Sequence, residues 1–373
     1  MKQNSQWQPA WHRRIPLVGA TRDWARSRLF GALRALGRTE DGRSIAHDTL
    51  GDLVDWRRAL PARALNIKPP YSDLGRSSTA DVAAARKPVF ITARFRSGST
   101  LLWNLFRHAG DCTAYYEPLN ERRWFDAAHR GERVDSTHRH VDDYWREYDG
   151  LDELGRYYRD EWTSRRLYMD ERSWDPNLTA YIRILAERAT GRPVLQFNRI
   201  DFRLAWLRHT FPSAPIIHLY RNPRDQWCSS LGTPSSCPAS ATMADFAAHD
   251  GFYLLSWAAD LNHHFPFLNP ASTEHPYRLF YLIWKLSFWF GTTYANHSLS
   301  FEALTERPGP TLEQLFGVIG MPVAPIARLT ALVEPTPSRW PNYAAAEWFR
   351  GHEAACEDVL RDFFGAETMV HVA

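Results

Sequence analysis

Residues 88–106 constrain the fold of this chain more than any other stretch. Val89-Phe90-Ile91-Thr92 is a short β-branched and apolar run of the kind that makes a buried strand. Arg94-Phe95-Arg96-Ser97-Gly98-Ser99-Thr100 follows as a small, polar, basic turn, and Leu101, Leu102, Leu105 and Phe106 then recur at helical spacing. A strand, a small polar loop and a helix make a cradle for a phosphate. The first N–H groups of the helix have no partner within it, and the helix dipole favours an anion there. Gly98 lets the backbone approach closely, and Ser97, Ser99 and Thr100 add hydroxyl donors. The loop is not the nucleoside-triphosphate motif G-x-x-x-x-G-K-[ST]. With Gly98 on the second glycine, Ala93 falls on the first and Ser99 on the lysine; the cation stands two residues before the glycine, as Arg96.

A second motif lies in Pro215-Ile216-Ile217-His218-Leu219-Tyr220-Arg221-Asn222-Pro223-Arg224-Asp225. Ile216 to Tyr220 reads as another buried strand, Pro223 suits a helix start and Asp225 suits its positive end. Arg221 sits at the strand end, and Ser229 follows about two helical turns further on. An arginine gives bidentate recognition of a phosphate, and a serine adds a donor.

Arg96-Ser97-Gly98-Ser99-Thr100 after a strand resembles the 5′-phosphosulfate loop of the sulfotransferases, and Arg221 with Ser229 is similar to their 3′-phosphate pair. The segments Leu207–Pro212, Leu299–Leu304 with Leu312–Gly320, and Ser338–Tyr343 extend the resemblance over roughly residues 88–345. The resemblance is nearer to bacterial and carbohydrate-type members. It implies an α/β, P-loop-like three-layer fold with a central mostly parallel sheet flanked by helices. It further implies transfer of a sulfuryl group from 3′-phosphoadenosine 5′-phosphosulfate (PAPS) to an acceptor hydroxyl on a carbohydrate or glycolipid, releasing adenosine 3′,5′-bisphosphate without a metal. A small metabolite or peptide tyrosine is an alternative acceptor. Arg96, Ser97, Gly98, Ser99, Thr100, Arg221, Ser229 and Arg339 are then the expected cofactor-binding residues, and Arg96 also a catalytic one. A kinase or NTPase is the second reading, opposed by the missing lysine; a non-catalytic nucleotide-binding module is the third.

A hydroxyl nucleophile gains from a general base. Glu117 is the candidate, because Tyr116-Glu117-Pro118-Leu119 ends a strand expected beside the first loop and resembles the equivalent stretch of carbohydrate sulfotransferases. Its alternative role is a structural pair with a nearby arginine. A histidine is the second choice, with His108 read as structural. Arg96, Glu117, Asn198 and Arg221 all follow predicted strands, so they converge on the edge of a parallel sheet where ligands bind.

Composition adds exclusions. Across 373 residues the net charge is only +3, which gives no case for nucleic-acid binding. Cys112, Cys228, Cys237 and Cys356 form no C-x-x-C pair, so reduced cytoplasmic thiols are expected, with a Cys228–Cys237 bridge left open. Neither a secretory signal nor a membrane span is expected; the most apolar stretch, Leu279–Gly291, carries Lys285 and reads as a buried helix. His263-His264 lacks the spacing of a zinc site.

Three regions are expected. Residues 1–87 hold a basic helix (Thr21–Leu36) and a connecting arm. The helix is read as packing on the domain, with peripheral membrane contact as the alternative. Residues 88–345 are the α/β domain, with helical or loop insertions at 120–192 and 232–276 near the acceptor site and a helix near Met243–His263. Residues 346–373 are a closing helix packed on it. Sixteen Trp and fifteen Tyr, many of them in 120–192, suit either ring-binding walls or helix packing.

Overall fold

A computed structural model describes residues 87–232 and 237–365, together with residues 28, 29, 31, 32, 35 and 39. The chain divides into two compact units, Met1–Gly75 and Arg76–Ala373. In the first, Arg28, Leu29, Gly31, Ala32 and Ala35 are helical, within the predicted N-terminal helix; the rest of that helix and the connecting arm lie outside the described residues.

The second unit starts with strand β1 (Val89–Ala93), helix α1 (Ser99–His108) and β2 (Cys112–Tyr116). After a long turn-rich segment come α2 (Pro176–Arg188), β3 (Arg192–Phe197), α3 (Leu204–Thr210), β4 (Ile216–Tyr220) and α4 (Pro223–Ser230). Then follow α5 (Met243–Ala247), α6 (Leu254–Leu261), α7 (Pro276–Tyr294), β5 (His297–Ser300), α8 (Phe301–Glu306), α9 (Pro308–Ile319), α10 (Ile326–Thr330) and α11 (Ala346–Phe364). The strands form one sheet in the order β2-β3-β1-β4-β5, every pair parallel. Every residue of β1 is buried, so the sheet is covered on both faces at its centre, as a parallel sheet with crossover helices requires. This is the expected three-layer α/β fold.

The end of β2 lies beside the first loop as expected, the Tyr116 hydroxyl 3.0 Å from Thr100 Oγ1, although β3 separates β2 from β1 in the sheet. Residues 120–192, expected as a helical or loop insertion, are mostly turns: Pro176–Arg188 is their α-helix, and 146–148, 152–156 and 160–163 are short 3-10 segments. The reason is local. Asn120, Asp126, Asp135, Asp143 and Asp170 each accept the backbone N–H two residues on, a turn that competes with helix formation. The segment is then fastened to α1 by Arg107, which reaches Asp143 Oδ1 at 2.6 Å and Glu147 Oε1 at 2.7 Å. The single helix expected near 243–263 is two, α5 and α6. Between them Tyr253 takes a left-handed φ of 63°, and the Asp250 carboxylate accepts the N–H groups of Leu254 and Leu255 at 2.9 and 2.8 Å. Helix α7 is a buried core helix as expected, and among the described residues no helix is long and apolar enough to cross a membrane. All four cysteines are free, which settles the open pairing.

Two buried histidines give the fold a pH signature. Burial pushes His218 in β4 down to about 4, and burial, together with His352 nearby, pushes His275 at the start of α7 to about 4. Both are neutral in the folded chain, whereas the unfolded chain takes up protons through the ordinary imidazole range near 6.5. Their stabilisation is therefore complete above pH 6.5 and is lost between 6.5 and about 4, at about 1.4 kcal/mol per pH unit for each group. Urea unfolding of His218→Asn should show a shallower fall in stability over that interval than the parent protein; an unchanged slope would assign the fall to other groups.

Candidate active site

The loop after β1 is built to leave donors free. Gly98 is the N-cap of α1, with φ 92° and no side-chain cap, and the first helical bond runs from the Leu102 N–H to the Gly98 carbonyl at 3.2 Å. The N–H groups of Ser99, Thr100 and Leu101 therefore have no acceptor within the helix. Position 98 must be glycine for two reasons: its φ is left-handed, and a Cβ there would stand 2.1 Å from Phe301 Cδ2. Arg96 is also left-handed, at φ 63°, a conformation that costs a non-glycine residue about 1–3 kcal/mol. Its Nε donates to Ser229 Oγ at 3.1 Å and to the Ser229 carbonyl at 3.2 Å, and its Nη1 lies 3.6 Å from Asp135. Ser97 points inward instead: its N–H and its hydroxyl both donate to the Arg94 carbonyl, at 3.3 and 2.6 Å.

Because β4 pairs directly with β1, Arg221 at its end meets this loop. Arg221 Nη1 donates to the Arg96 carbonyl at 3.1 Å, and the guanidinium lies over the Phe301 ring at 4.7 Å. Arg221 is buried, its Nε has no hydrogen-bond partner, and it makes no ion pair among the described residues. Burial first, and then the charges of Arg96 and Arg339, push this guanidinium below its ordinary range, against the pull of Asp225 and Glu302. Asp225 holds the late loop down: it accepts the Ser338 hydroxyl at 2.9 Å and the N–H groups of Arg339 and Trp340 at 2.6 and 3.2 Å. Glu302 accepts the Asn222 N–H at 2.9 Å and so holds the strand–helix junction.

These groups open on one cleft of about 450 Å³, lined by Arg96, Gly98, Ser99, Thr100, Glu117, Asn198, Arg221, Ser229 and Arg339. Of the sequence-predicted site residues Ser97 is absent from that wall. His108 is outside it as well, its Nδ1 placed 2.9 Å from the Asn104 carbonyl within α1. A second pocket of about 340 Å³ shares Phe95, Tyr116, Glu117, Ser136 and His138 with the first, so these five residues mark the junction.

Glu117 has a left-handed φ of 39° and is buried. Its carboxylate accepts hydrogen bonds from the amides of Asn198 and Asn120, the latter at 2.6 Å, and pairs with Arg199 at 3.1 Å. The arginine pair foreseen as its alternative role is present, and Glu117 still faces both pockets. His138 was not found from the sequence. Its Nε2 is 3.3 Å from Thr100 Oγ1 and its Nδ1 2.5 Å from the Tyr144 hydroxyl. Burial lowers its pKa, partly opposed by Asp135, so it is neutral near pH 7. Nothing in Ser136-Thr137-His138-Arg139-His140 signals this, because the segment belongs to no strand or helix. Across the cleft mouth Arg139 pairs with Glu334, joining the 135–140 loop to the late loop.

The sulfotransferase family model matches residues 88–265. No curated protein gives a significant match. Among solved structures the chain is similar to the sulfotransferase STF9 from Mycobacterium avium, at 13% identity over 75% of this chain and 77% of that one, with a TM-score of 0.40. It is also similar to retinol dehydratase, solved in complex with androsterone and inactive cofactor PAP, at 14% identity over 74% and 81% of the two chains, with a TM-score of 0.34. Both likenesses are too loose to transfer a residue's role.

The Asp225 contacts predict a local effect. Asp225→Ala removes the acceptor of one hydroxyl and two N–H groups. Hydrogen bonds to charged groups contribute about 1.5–3 kcal/mol each, so the amides of Arg339 and Trp340 should exchange with deuterium at least tenfold faster while those of β1 stay protected. Unchanged exchange would show that the loop is held by other contacts.

Proposed function

Residues 88–265 belong to the sulfotransferase family, and from that premise we propose that the protein transfers a sulfuryl group from PAPS to a hydroxyl of a carbohydrate or glycolipid. The observation that carries this reading is Arg221. Arg221 is a buried cation with no ion-pair partner among the described residues, a costly arrangement unless an anion arrives to pair with it. It stands beside Arg96 and Arg339 at the uncapped start of α1, and its companions suit two phosphate-like groups. In this reading the N–H groups of Ser99 to Leu101 and Arg96 hold the 5′-phosphosulfate, and Arg221, Ser229 and Arg339 hold the 3′-phosphate. Ser97 supports the loop from behind.

The two pockets that meet at Glu117 suit a transfer between two bound molecules. The acceptor oxygen forms a bond to sulfur as the bond from sulfur to the 5′-phosphate oxygen breaks. The electron pair leaves on that oxygen, where Arg96 and the loop amides offset the charge. The hydroxyl proton passes to Glu117. A carboxylate has about four acceptor sites, and three are engaged by Asn120, Asn198 and Arg199. The free cysteines agree with the cytoplasmic location that belongs to this reading. A second assignment of the base has its own observation: His138 is neutral, stands at the same junction and is hydrogen-bonded to Thr100 of the phosphate loop.

Calorimetry with adenosine 3′,5′-bisphosphate, 5′-AMP and ATP tests the donor site. The bisphosphate should bind most tightly, and Arg221→Ala should weaken it at least tenfold more than 5′-AMP. Preference for ATP, or equal losses, would overturn the assignment. With labelled PAPS, Glu117→Gln should lower kcat by about 10²–10⁴, leaving bisphosphate affinity within about twofold of the parent. Wild-type turnover in that variant, with the loss appearing in His138→Asn instead, would move the base to His138.

A further inference from the structure

The second pocket carries chemical information about its occupant. Its wall holds no Leu, Ile, Val or Met side chain; aromatic rings such as Trp124, Tyr144 and Tyr253 alternate with charged and amide groups. Rings beside hydrogen-bonding groups suit a polyhydroxylated molecule better than a wholly apolar one.

The charges in this wall are unequally committed. Its three acids are engaged by cations: Glu117 and Glu121 by Arg199, at 3.1 and 2.5 Å, and Asp135 by Arg96, at 3.6 Å. Of its three arginines, Arg199 is consumed twice over, whereas Arg122 and Arg133 pair with no carboxylate among the described residues. Arg122 is nevertheless held in place. Its backbone N–H donates to Asn120 Oδ1 at 2.9 Å, its Nη1 donates to the Arg133 carbonyl at 2.9 Å, and its guanidinium lies 5.8 Å from the centre of the Trp124 ring. The same Asn120 donates its amide to Glu117 at 2.6 Å, so a single residue sets the placement of Arg122 relative to the proposed base.

We propose that this pocket takes an anionic carbohydrate, and that Arg122 and Arg133 recognise the acid group borne near the hydroxyl that is modified. The proposal rests on the sulfotransferase reading for what happens to that hydroxyl, but the recognition itself is a binding property. Arginine suits the task because its planar fork pairs with a carboxylate or sulfate through two hydrogen bonds.

The test is calorimetric binding of a hyaluronan tetrasaccharide and of its carboxyl-reduced counterpart, which keeps the rings and linkages and loses the charge. The parent protein should bind the acidic form at least tenfold more tightly, and raising the salt concentration should erode that preference. In the double variant Arg122→Gln/Arg133→Gln the preference should disappear while adenosine 3′,5′-bisphosphate binds as before. Equal binding of the two saccharides by the parent protein, no binding of either, or a preference that survives in a folded double variant would overturn the proposal. The parent comparison needs no variant, so misfolding of the double variant leaves it decisive. Failure of the sulfotransferase reading would show separately, as absent bisphosphate binding in a protein that still discriminates between the saccharides.

Discussion

Parallel pairing of β1 with β4 is the contact on which the rest of the site depends. The register sets Thr92 against His218 and Ala93 against Leu219, so both strands end at the same level and release their loops side by side. The start of α1 and the side chain of Arg221 thereby share one space, and Arg221 completes the junction by donating to the Arg96 carbonyl at 3.1 Å. A slip of one residue would turn alternate side chains to the opposite face of the sheet and take Arg221 away from the loop.

The arrangement holds like charges together at a cost. Arg96, Arg221 and Arg339 surround one cleft, and the acids in its wall, Glu117 and Glu334, pair with other arginines, Arg199 and Arg139. Asp225 spends its lone pairs on the late loop, Glu302 on the Asn222 N–H, and Asp135 reaches Arg96 only at 3.6 Å. Two non-glycine residues in left-handed conformations, Arg96 and Glu117, add backbone strain at the same place. Backbone strain and like charge brought together in this way suit a binding site for a polyanion, because the surrounding core holds the groups in position before the ligand arrives.

Much of this was legible in the chain itself. The strands around Val89, Val194 and Ile216 carry short apolar runs, and those around Cys112 and His297 are more polar but follow in order, so their patterns are local properties. The loop after β1 was legible because Gly98 and its flanking hydroxyls sit between a strand and a helix, and Arg221 with Ser229 because strand, proline and helix follow in order. The inward turn of Ser97 was not legible, since hydroxyl direction depends on which carbonyl lies within reach. In residues 120–175 the aromatic and charged content suits helix packing, whereas Asp126, Asp135 and Asp143 each close a turn with a backbone N–H two residues on.

The amino-acid sequence by itself determined the strands, the helix that opens at Ser99 and the cations that follow β1 and β4, because backbone conformation and hydrophobic periodicity are set over a few neighbouring residues. Only the tertiary structure decided the order of the strands, the placement of β2 at the edge, the arrival of His138 beside Thr100 and the second pocket around Arg122 and Arg133. Those depend on contacts between segments far apart in the chain, such as Arg107 with Asp143 and Glu147. Such contacts form only when a whole core has closed, so no local pattern announces them.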